Sequence, residues 1–259
     1  GYGINCDEEN AFAFRRAGAD ADIIHINDLI ENRSMLDRYR IVSFPGGFSY
    51  GDDTGSGRAL ANRIKNNLMD ELIRFTGRDT LVLGICNGFQ VMINIGLVPA
   101  LNGFNGEAEA ALEHNITFRY QCRWVDIAVE AGSPSVFTRG ISRLRIPVAH
   151  GEGNFFAREK ELAGIEEAGL VVMRYSTQDG TPARGEFPFN PNGSMNDIAA
   201  LCDSTGRIMG MMPHPERGMC FTQRDDWTLI REELSRKGDG MPEDADGMKI
   251  FTNAVEYFA

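Results

Sequence analysis

The sequence lacks the patterns of several protein classes. Its five cysteines, at positions 6, 86, 122, 202 and 220, form no C-x-x-C pair, so neither a disulfide framework nor a zinc ribbon is predicted. No apolar run approaches the ~20 residues that span a bilayer, and no signal-peptide pattern opens the chain. Scattered cysteines without a signal pattern are typical of a reduced setting, so we expect a cytoplasmic protein.

Positive charge is also scarce. Lys and Arg number 26 against 37 Asp and Glu, and the formal net charge of -11 disfavours nucleic acid or an anionic membrane as a partner. There is no G-x-x-x-x-G-K-[ST] loop, and Gly55-Ser56-Gly57 lacks the third glycine of a dinucleotide loop. The P-C-x-x-C of a zinc deaminase and the H-E-x-x-H of a zincin are absent. We therefore expect no metal and no cofactor in this chain.

What is present predicts an α/β fold. In the first 95 residues, strand patterns at 21–26, 41–44 and 80–85 alternate with helical patterns at 8–17, 58–75 and 86–95, which indicates a parallel sheet. Beyond a loop at 102–114, β-rich segments at 116–129, 145–150, 170–175, 198–202 and 208–212 predict added antiparallel strands. Helices are expected at 158–167, 225–236 and 245–258. We predict one domain over residues 1–259 with an open, mainly parallel sheet, and we expect a first strand before Gly1.

The strongest chemical signal surrounds Cys86. Gly84-Ile85-Cys86-Asn87-Gly88 follows an apolar strand and opens a helix, like a thiol version of the G-x-S-x-G nucleophile elbow. A helix N-terminus favours a thiolate, and the backbone N–H of Asn87 would point at an oxyanion. Pro45-Gly46-Gly47 could supply a second N–H from Gly46 or Gly47. The second elbow-like match, at residues 47–51, is not followed promptly by a helix. The alternative for Cys86 is a small buried core residue.

His214 is the best candidate for the base that a cysteine nucleophile needs. Pro213 and Pro215 flank it, and a residue before proline is pushed into an extended conformation. Because side chains at i and i+2 of an extended chain share one side, Glu216 could accept the imidazole N–H, as in a catalytic triad. The alternative is a rigid turn. Among the other histidines, His25 looks structural, His114 carries no signal, and His150 could line a site.

The three segments at 45–47, 84–88 and 213–216 together resemble those of the class I glutamine amidotransferases. The resemblance extends to the family of glutaminase subunits of phosphoribosylformylglycinamidine synthase through segments that lie at 3–7, 45–52, 86–90, 150–153, 190–194 and 212–217. It implies a flavodoxin-like sheet flanked by helices. One departure is Asn154, where the family pattern has Arg.

The resemblance also implies roles. Cys86 would attack the side-chain amide of glutamine, His214 would pass a proton to the leaving ammonia, and Glu216 would orient His214. Gly46 or Gly47 with Asn87 would hold the oxyanion, and Gln90 would contact the glutamine. The ammonia would pass to a synthetase subunit, with or without a small third subunit, which uses ATP and magnesium to aminate formylglycinamide ribonucleotide.

Alternatives from other classes remain open at this point. A glutaminase subunit of a different amidotransferase, a γ-glutamyl hydrolase and a DJ-1-like protein share the cysteine, and a non-catalytic interaction subunit could keep the fold. Gln90 and the Pro-Gly-Gly turn disfavour a DJ-1-like protein. The Phe-Ser-Tyr-Gly-Asp segment at 48–52 disfavours a γ-glutamyl hydrolase.

Overall fold

The computed structural model describes residues 1–51, 55 and 57–259. Asp52, which belongs to one segment of the resemblance, and Ser56 lie outside the described residues. The α-helices are α1 (Asp7–Arg16), α2 (Ile26–Glu31), α3 (Arg58–Asn67), α4 (Met69–Thr76), α5 (Asn87–Asn94), α6 (Glu159–Glu167), α7 (Trp227–Lys237) and α8 (Met248–Glu256). The strands are β1 (Ile41–Phe44), β2 (Leu81–Ile85), β3 (Ala111–His114), β4 (Gln121–Val129), β5 (Arg143–His150), β6 (Glu152–Phe156), β7 (Val171–Ser176), β8 (Ile198–Cys202) and β9 (Ile208–Met211).

Seven of these strands form one mixed sheet in the order β1-β2-β9-β8-β7-β4-β5. The β1–β2 and β2–β9 pairs are parallel, and the other four pairs are antiparallel. The predicted α/β fold with a parallel core and added antiparallel strands is confirmed, but the antiparallel part is the larger one. The turn between β8 and β9 is too short for a crossover helix, so these strands must run antiparallel.

A small second sheet was not predicted. β3 pairs with β6 in antiparallel fashion, where the sequence predicted a loop at 102–114 and nothing regular between His150 and the helix at 158–167. β6 contains Gly153 and Asn154, which have low β-propensity, so no alternating pattern revealed it. This sheet matters for the site because β6 continues directly from the end of β5.

Two predicted elements differ in the structure. The stretch 21–25 is irregular rather than a strand and leads into α2, where His25 accepts a hydrogen bond from the Asn27 N–H at 3.3 Å. Residues 21–24 line a cavity of about 590 Å³ together with α1 and β1, and the lining includes neither Cys86 nor His214. The single helix predicted over 58–75 is two helices, because Leu68 leaves helical geometry at φ -133° and ψ 8°.

Close packing against β1 and β2 fixes the position of α5. Every residue of β2 is buried, as expected for an inner strand covered on both faces. A Cβ on Gly88 would lie 1.8 Å from the Phe44 carbonyl oxygen, and one on Gly84 would lie 2.2 Å from Met92 Sδ. The two glycines of the elbow therefore allow α5 to rest directly on β1 and β2. No helix in the described part of the chain is long and apolar enough to cross a membrane.

Candidate active site

Cys86 occupies the sharp turn between β2 and α5. Its backbone is at φ 52° and ψ -107°, a conformation that costs a non-glycine residue about 1–3 kcal/mol and is common at functional sites. The Cys86 N–H donates to the Met211 carbonyl at 2.7 Å, which ties the turn to β9. The thiol is nearly buried, with Sγ 3.8 Å from the Ala149 carbonyl oxygen. The strand-turn-helix geometry predicted for this cysteine is present.

His214 and Glu216 form a buried pair. His214 Nδ1 lies 2.6 Å from Glu216 Oε1, and both side chains are almost fully shielded from solvent. The predicted contact is present, but the predicted route to it is wrong. The two side chains meet through a 3₁₀ turn at Pro215–Arg217 rather than along an extended chain. The His214 N–H donates to the Pro147 carbonyl at 2.8 Å, which anchors this turn to β5.

The charge of this pair is set by opposing effects. Burial disfavours an imidazolium, but the Glu216 carboxylate and then the Cys86 thiol outweigh it, so the pKa of His214 lies well above its usual range. His214 Nδ1 is bound to Glu216, and Nε2 has no partner among the residues that the structure describes. Nε2 is therefore the ring nitrogen that is left for a reacting group.

Cys6 is a second thiol at this site, and no individual role was predicted for it. Its Sγ accepts a hydrogen bond from Arg217 Nη2 at 2.9 Å, and the thiol can donate to Asn5 Oδ1 at 3.2 Å. Burial raises the pKa of the Cys6 thiol, against the opposing effect of His214. The 211 positions between Cys6 and Arg217 explain why spacing could not reveal the contact. The only signal was the inclusion of both residues in segments that carry the family resemblance.

Cys6, His214 and Glu216 are also a possible metal-ligand set. Their donor atoms lie within 4.8 Å of one another, and all three residues are buried. However, His214 Nδ1 is already bonded to Glu216, and the Arg217 guanidinium donates to the Cys6 sulfur. A metal cation would have to displace a proton and lie beside an arginine, which is electrostatically unfavourable.

The Pro-Gly-Gly turn is fixed by the first residues of the chain. The Gly46 carbonyl accepts hydrogen bonds from the N–H groups of Asn5 and Cys6 at 3.4 and 3.2 Å, and the Phe48 N–H donates to the Gly3 carbonyl at 2.8 Å. These bonds make Gly47 and Ile4 a non-hydrogen-bonded antiparallel pair. The N–H of Gly47 therefore points away from the N-terminal segment. Gly46 instead packs on the histidine, because a Cβ there would lie 2.7 Å from His214 Cε1.

Asn87 and Gln90 connect α5 to β6. Asn87 Nδ2 donates to Gln90 Oε1 at 2.9 Å, and Gln90 Nε2 donates to the Glu152 carbonyl at 2.7 Å. The backbone N–H of Asn87 belongs to the first residue of α5, where helices leave their N–H groups without an intrahelical acceptor. The arrangement offers a backbone donor next to Cys86 and a Gln90 amide that is held in place.

His150 at the end of β5 is a buried, neutral histidine. Asn115 Nδ2 donates to the carbonyls of Arg119 and His150, which turns Asn115 Oδ1 towards His150 Nδ1 at 3.0 Å. Nδ1 must therefore carry the proton, and Nε2 is a bare acceptor with no partner in the described part of the chain. Burial, followed by the charge on His214, lowers the pKa of His150 to about 3.

Comparison with known proteins agrees with this geometry. A family model described as the CobB/CobQ-like glutamine amidotransferase domain matches residues 1–258. The chain belongs to this family of glutamine amidotransferases. A curated relative, the phosphoribosylformylglycinamidine synthase subunit PurQ of Methanococcus maripaludis, is 52% identical over 100% of this chain and 95% of its own length. The PurQ subunit of Dehalococcoides mccartyi is 40% identical over 98% of this chain and 94% of its own.

A solved structure also resembles this amidotransferase over its whole length. A chain of the PurLQS structure from Thermotoga maritima is 29% identical, with a TM-score of 0.68, and the match covers 99% of this chain and 95% of that one. The class I glutamine amidotransferase fold predicted from the sequence is confirmed.

Proposed function

We propose that this amidotransferase is the glutaminase subunit of phosphoribosylformylglycinamidine synthase. It hydrolyses glutamine to glutamate and ammonia and passes the ammonia to a synthetase subunit, which converts formylglycinamide ribonucleotide to formylglycinamidine ribonucleotide in purine biosynthesis. The observation that carries this proposal is the 52% identity with a PurQ subunit over all 259 residues. ATP and magnesium would bind the synthetase, whereas this cytoplasmic chain, acting as one domain over residues 1–259, would need no cofactor.

The first chemical step is attack on the glutamine side chain. The Cys86 thiol gives its proton to His214 Nε2, its sulfur adds to the amide carbonyl carbon, and the carbonyl oxygen becomes an oxyanion. Two backbone N–H groups are suited to bind it. Asn87 is the first residue of α5, so its N–H lies beside the sulfur. The N–H of Gly47 points away from the N-terminal segment. This geometry favours Gly47 over Gly46, whose carbonyl is the group that faces the N-terminal segment.

The second step expels ammonia. The nitrogen of the tetrahedral intermediate takes the proton from His214 Nε2, the C–N bond breaks, and a Cys86 thioester of glutamate remains. Glu216 supports this transfer because its carboxylate holds Nδ1–H and so directs Nε2 towards the reacting atoms. A water molecule then gives a proton to His214 and attacks the thioester, which releases glutamate and restores the thiol.

Gln90 would border the glutamine site. Its amide nitrogen uses one N–H on the Glu152 carbonyl, and the second N–H is the group that would contact the substrate. The same bond fixes the β5–β6 connection next to Cys86, so Gln90 would contribute to the shape of the site as well as to binding.

The decisive experiment measures glutamate and ammonia release from glutamine, with and without the purified synthetase subunit. We expect slow hydrolysis by the free chain, faster hydrolysis with the synthetase, and formation of formylglycinamidine ribonucleotide from glutamine only in the mixture. Cys86→Ala should abolish the glutamine-dependent reaction and leave the reaction with added ammonia intact. Full glutaminase activity in Cys86→Ala would refute the mechanism. A wild-type chain that never hydrolyses glutamine beside an active synthetase would refute the function.

A further inference from the structure

Large apolar side chains are exposed on two neighbouring loops. The loop between β3 and β4 and the loop after β7 expose Ile116 at 65%, Phe118 at 83%, Tyr120 at 52% and Phe187 at 51%. We call these four residues the docking face. The two loops are joined, because the Ile116 N–H donates to the Asn192 carbonyl at 2.9 Å and Arg123 lies over the Phe187 ring at 4.6 Å. Contiguous exposed apolar groups of this kind mark interaction sites.

Phe118 is the most exposed member, and its backbone is strained. Its φ of 51° lies in the left-handed region, where a bulky side chain is a genuine outlier. Two hydrogen bonds hold the Phe118 backbone in this conformation. The Phe118 N–H donates to the Asn115 carbonyl at 2.8 Å, and Asn115 Nδ2 donates to the Arg119 carbonyl at 2.8 Å. The ring contributes little burial that could offset the strain. The conformation presents an aromatic ring to solvent at a cost to the fold, as expected of a binding residue.

The docking face adjoins the reaction centre. Asn115 connects it to the end of β5, since its N–H donates to the Gly151 carbonyl at 2.9 Å and its amide holds both Nδ1 and the carbonyl of His150. The Tyr120 ring lies 6.3 Å from the ring of Phe48, the residue after the Gly46–Gly47 turn. Burial, and then the proximity of Cys86, raises the pKa of the Tyr120 phenol. The docking face therefore lies beside the Cys86 site.

We propose that the docking face binds the ammonia-accepting synthetase subunit, with Phe118 as its aromatic anchor. This inference rests on the proposed function. Ammonia released into water is protonated and lost to the reaction, so the acceptor must cover the exit beside Cys86. The docking face supplies exposed apolar groups beside the Cys86 site. Buried aromatic anchors often supply much of the binding free energy of an interface.

The test compares three variants of the full chain. Phe118→Asp places a charge at the centre of the face, and Phe118→Gly removes the ring and suits the left-handed backbone. Leu229→Asp is the matched control, because Leu229 is 62% exposed on α7, a helix with no buried residue. Sedimentation velocity measures the affinity for the purified synthetase. A second assay measures slow glutamine hydrolysis by the free chain, and calorimetry measures thermal unfolding.

We expect both Phe118 variants to bind the synthetase at least 10-fold more weakly than the wild type, with unchanged hydrolysis by the free chain. Leu229→Asp should bind normally. Phe118→Gly should raise the midpoint of thermal unfolding by about 2–4 °C, because it relieves strain and loses little burial.

Wild-type affinity in both Phe118 variants would overturn the proposal, and so would loss of binding in Leu229→Asp alone. Self-association of the free wild-type chain that Phe118→Asp abolishes would assign the face to a second copy instead. A lowered unfolding midpoint in Phe118→Gly would show that the ring serves the fold. These outcomes are distinct from failure of the proposed function, in which the wild type itself neither binds the synthetase nor hydrolyses glutamine.

Discussion

Replacing Gly46 by alanine should damage both catalysis and stability. The added methyl would lie 2.7 Å from His214 Cε1 and 3.2 Å from Cys6 Sγ, whereas ordinary contacts of a Cβ begin at 3.4 Å. The imidazole must therefore retreat by about 0.7 Å (3.4 minus 2.7). It cannot do so freely, because its Nδ1 is held by Glu216 at 2.6 Å inside a closed site.

The size of the effect follows from this displacement. A misplacement of about 1 Å at a reacting group can cost about 10²-fold in rate, which corresponds to about 2.7 kcal/mol of transition-state stabilisation. We expect kcat for glutamine hydrolysis by the complex to fall by roughly this factor. Overpacking in the site should lower the free energy of unfolding by about 1–3 kcal/mol.

Gly151→Ala is the matched control for this prediction. It adds the same methyl near the site, but the nearest atom, Tyr120 Cδ2, is 3.8 Å away. Steady-state kinetics with glutamine and urea unfolding are measured for both variants. If Gly46→Ala keeps wild-type kcat, or if Gly151→Ala loses as much activity, the proposed contact between the turn and the imidazole does not control catalysis.

Two further predictions concern stability. His150 has a folded pKa of about 3 against an ordinary 6.5, so its contribution is complete above pH 6.5 and is lost as pH falls. Urea titrations between pH 6 and 4.5, roughly the range between those pKa values, measure the free energy of unfolding of wild type and His150→Gln. As the pH falls, this free energy should decrease less steeply in His150→Gln than in wild type, by about 1.4 kcal/mol per pH unit. Equal slopes would contradict the prediction. Gly88→Ala places a Cβ 1.8 Å from the Phe44 carbonyl oxygen and should lower the free energy of unfolding by about 3 kcal/mol. A loss below about 0.5 kcal/mol, typical of an open surface position, would show that α5 moves freely on the sheet.

The sequence was most informative where local pattern and structure coincide. β2 and the start of α5 were predicted almost to the residue, because an apolar strand, a glycine-flanked turn and a helix are all specified within residues 80–95. The contact between His214 and Glu216 was also predicted, since side chains two positions apart in the sequence can meet in several local conformations. The 3₁₀ turn that brings them together was not, because Pro215 restricts the backbone of the residue before it and does not specify the turn that follows.

What could not be predicted depends on partners that are distant in sequence. Residues 21–25 have strand composition, but composition provides no neighbour to pair with, and the stretch is irregular. The contact between Cys6 and Arg217 and the proposed preference for Gly47 over Gly46 as oxyanion donor depend on how the N-terminal segment lies against the turn. The strain at Phe118 is likewise visible only in the backbone angles.

The bond between Cys6 and Arg217 has a consequence for the synthesis of the protein. The sulfur nucleophile and its turn are complete once about a third of the chain has been made. The last parts of the site to emerge from the ribosome are His214, Glu216 and Arg217, whose guanidinium donates a hydrogen bond to Cys6. Contacts of such long sequence separation form late and slow folding. The onset of glutamine hydrolysis should therefore report assembly of the fold at least through Arg217, and shorter nascent fragments would release no ammonia.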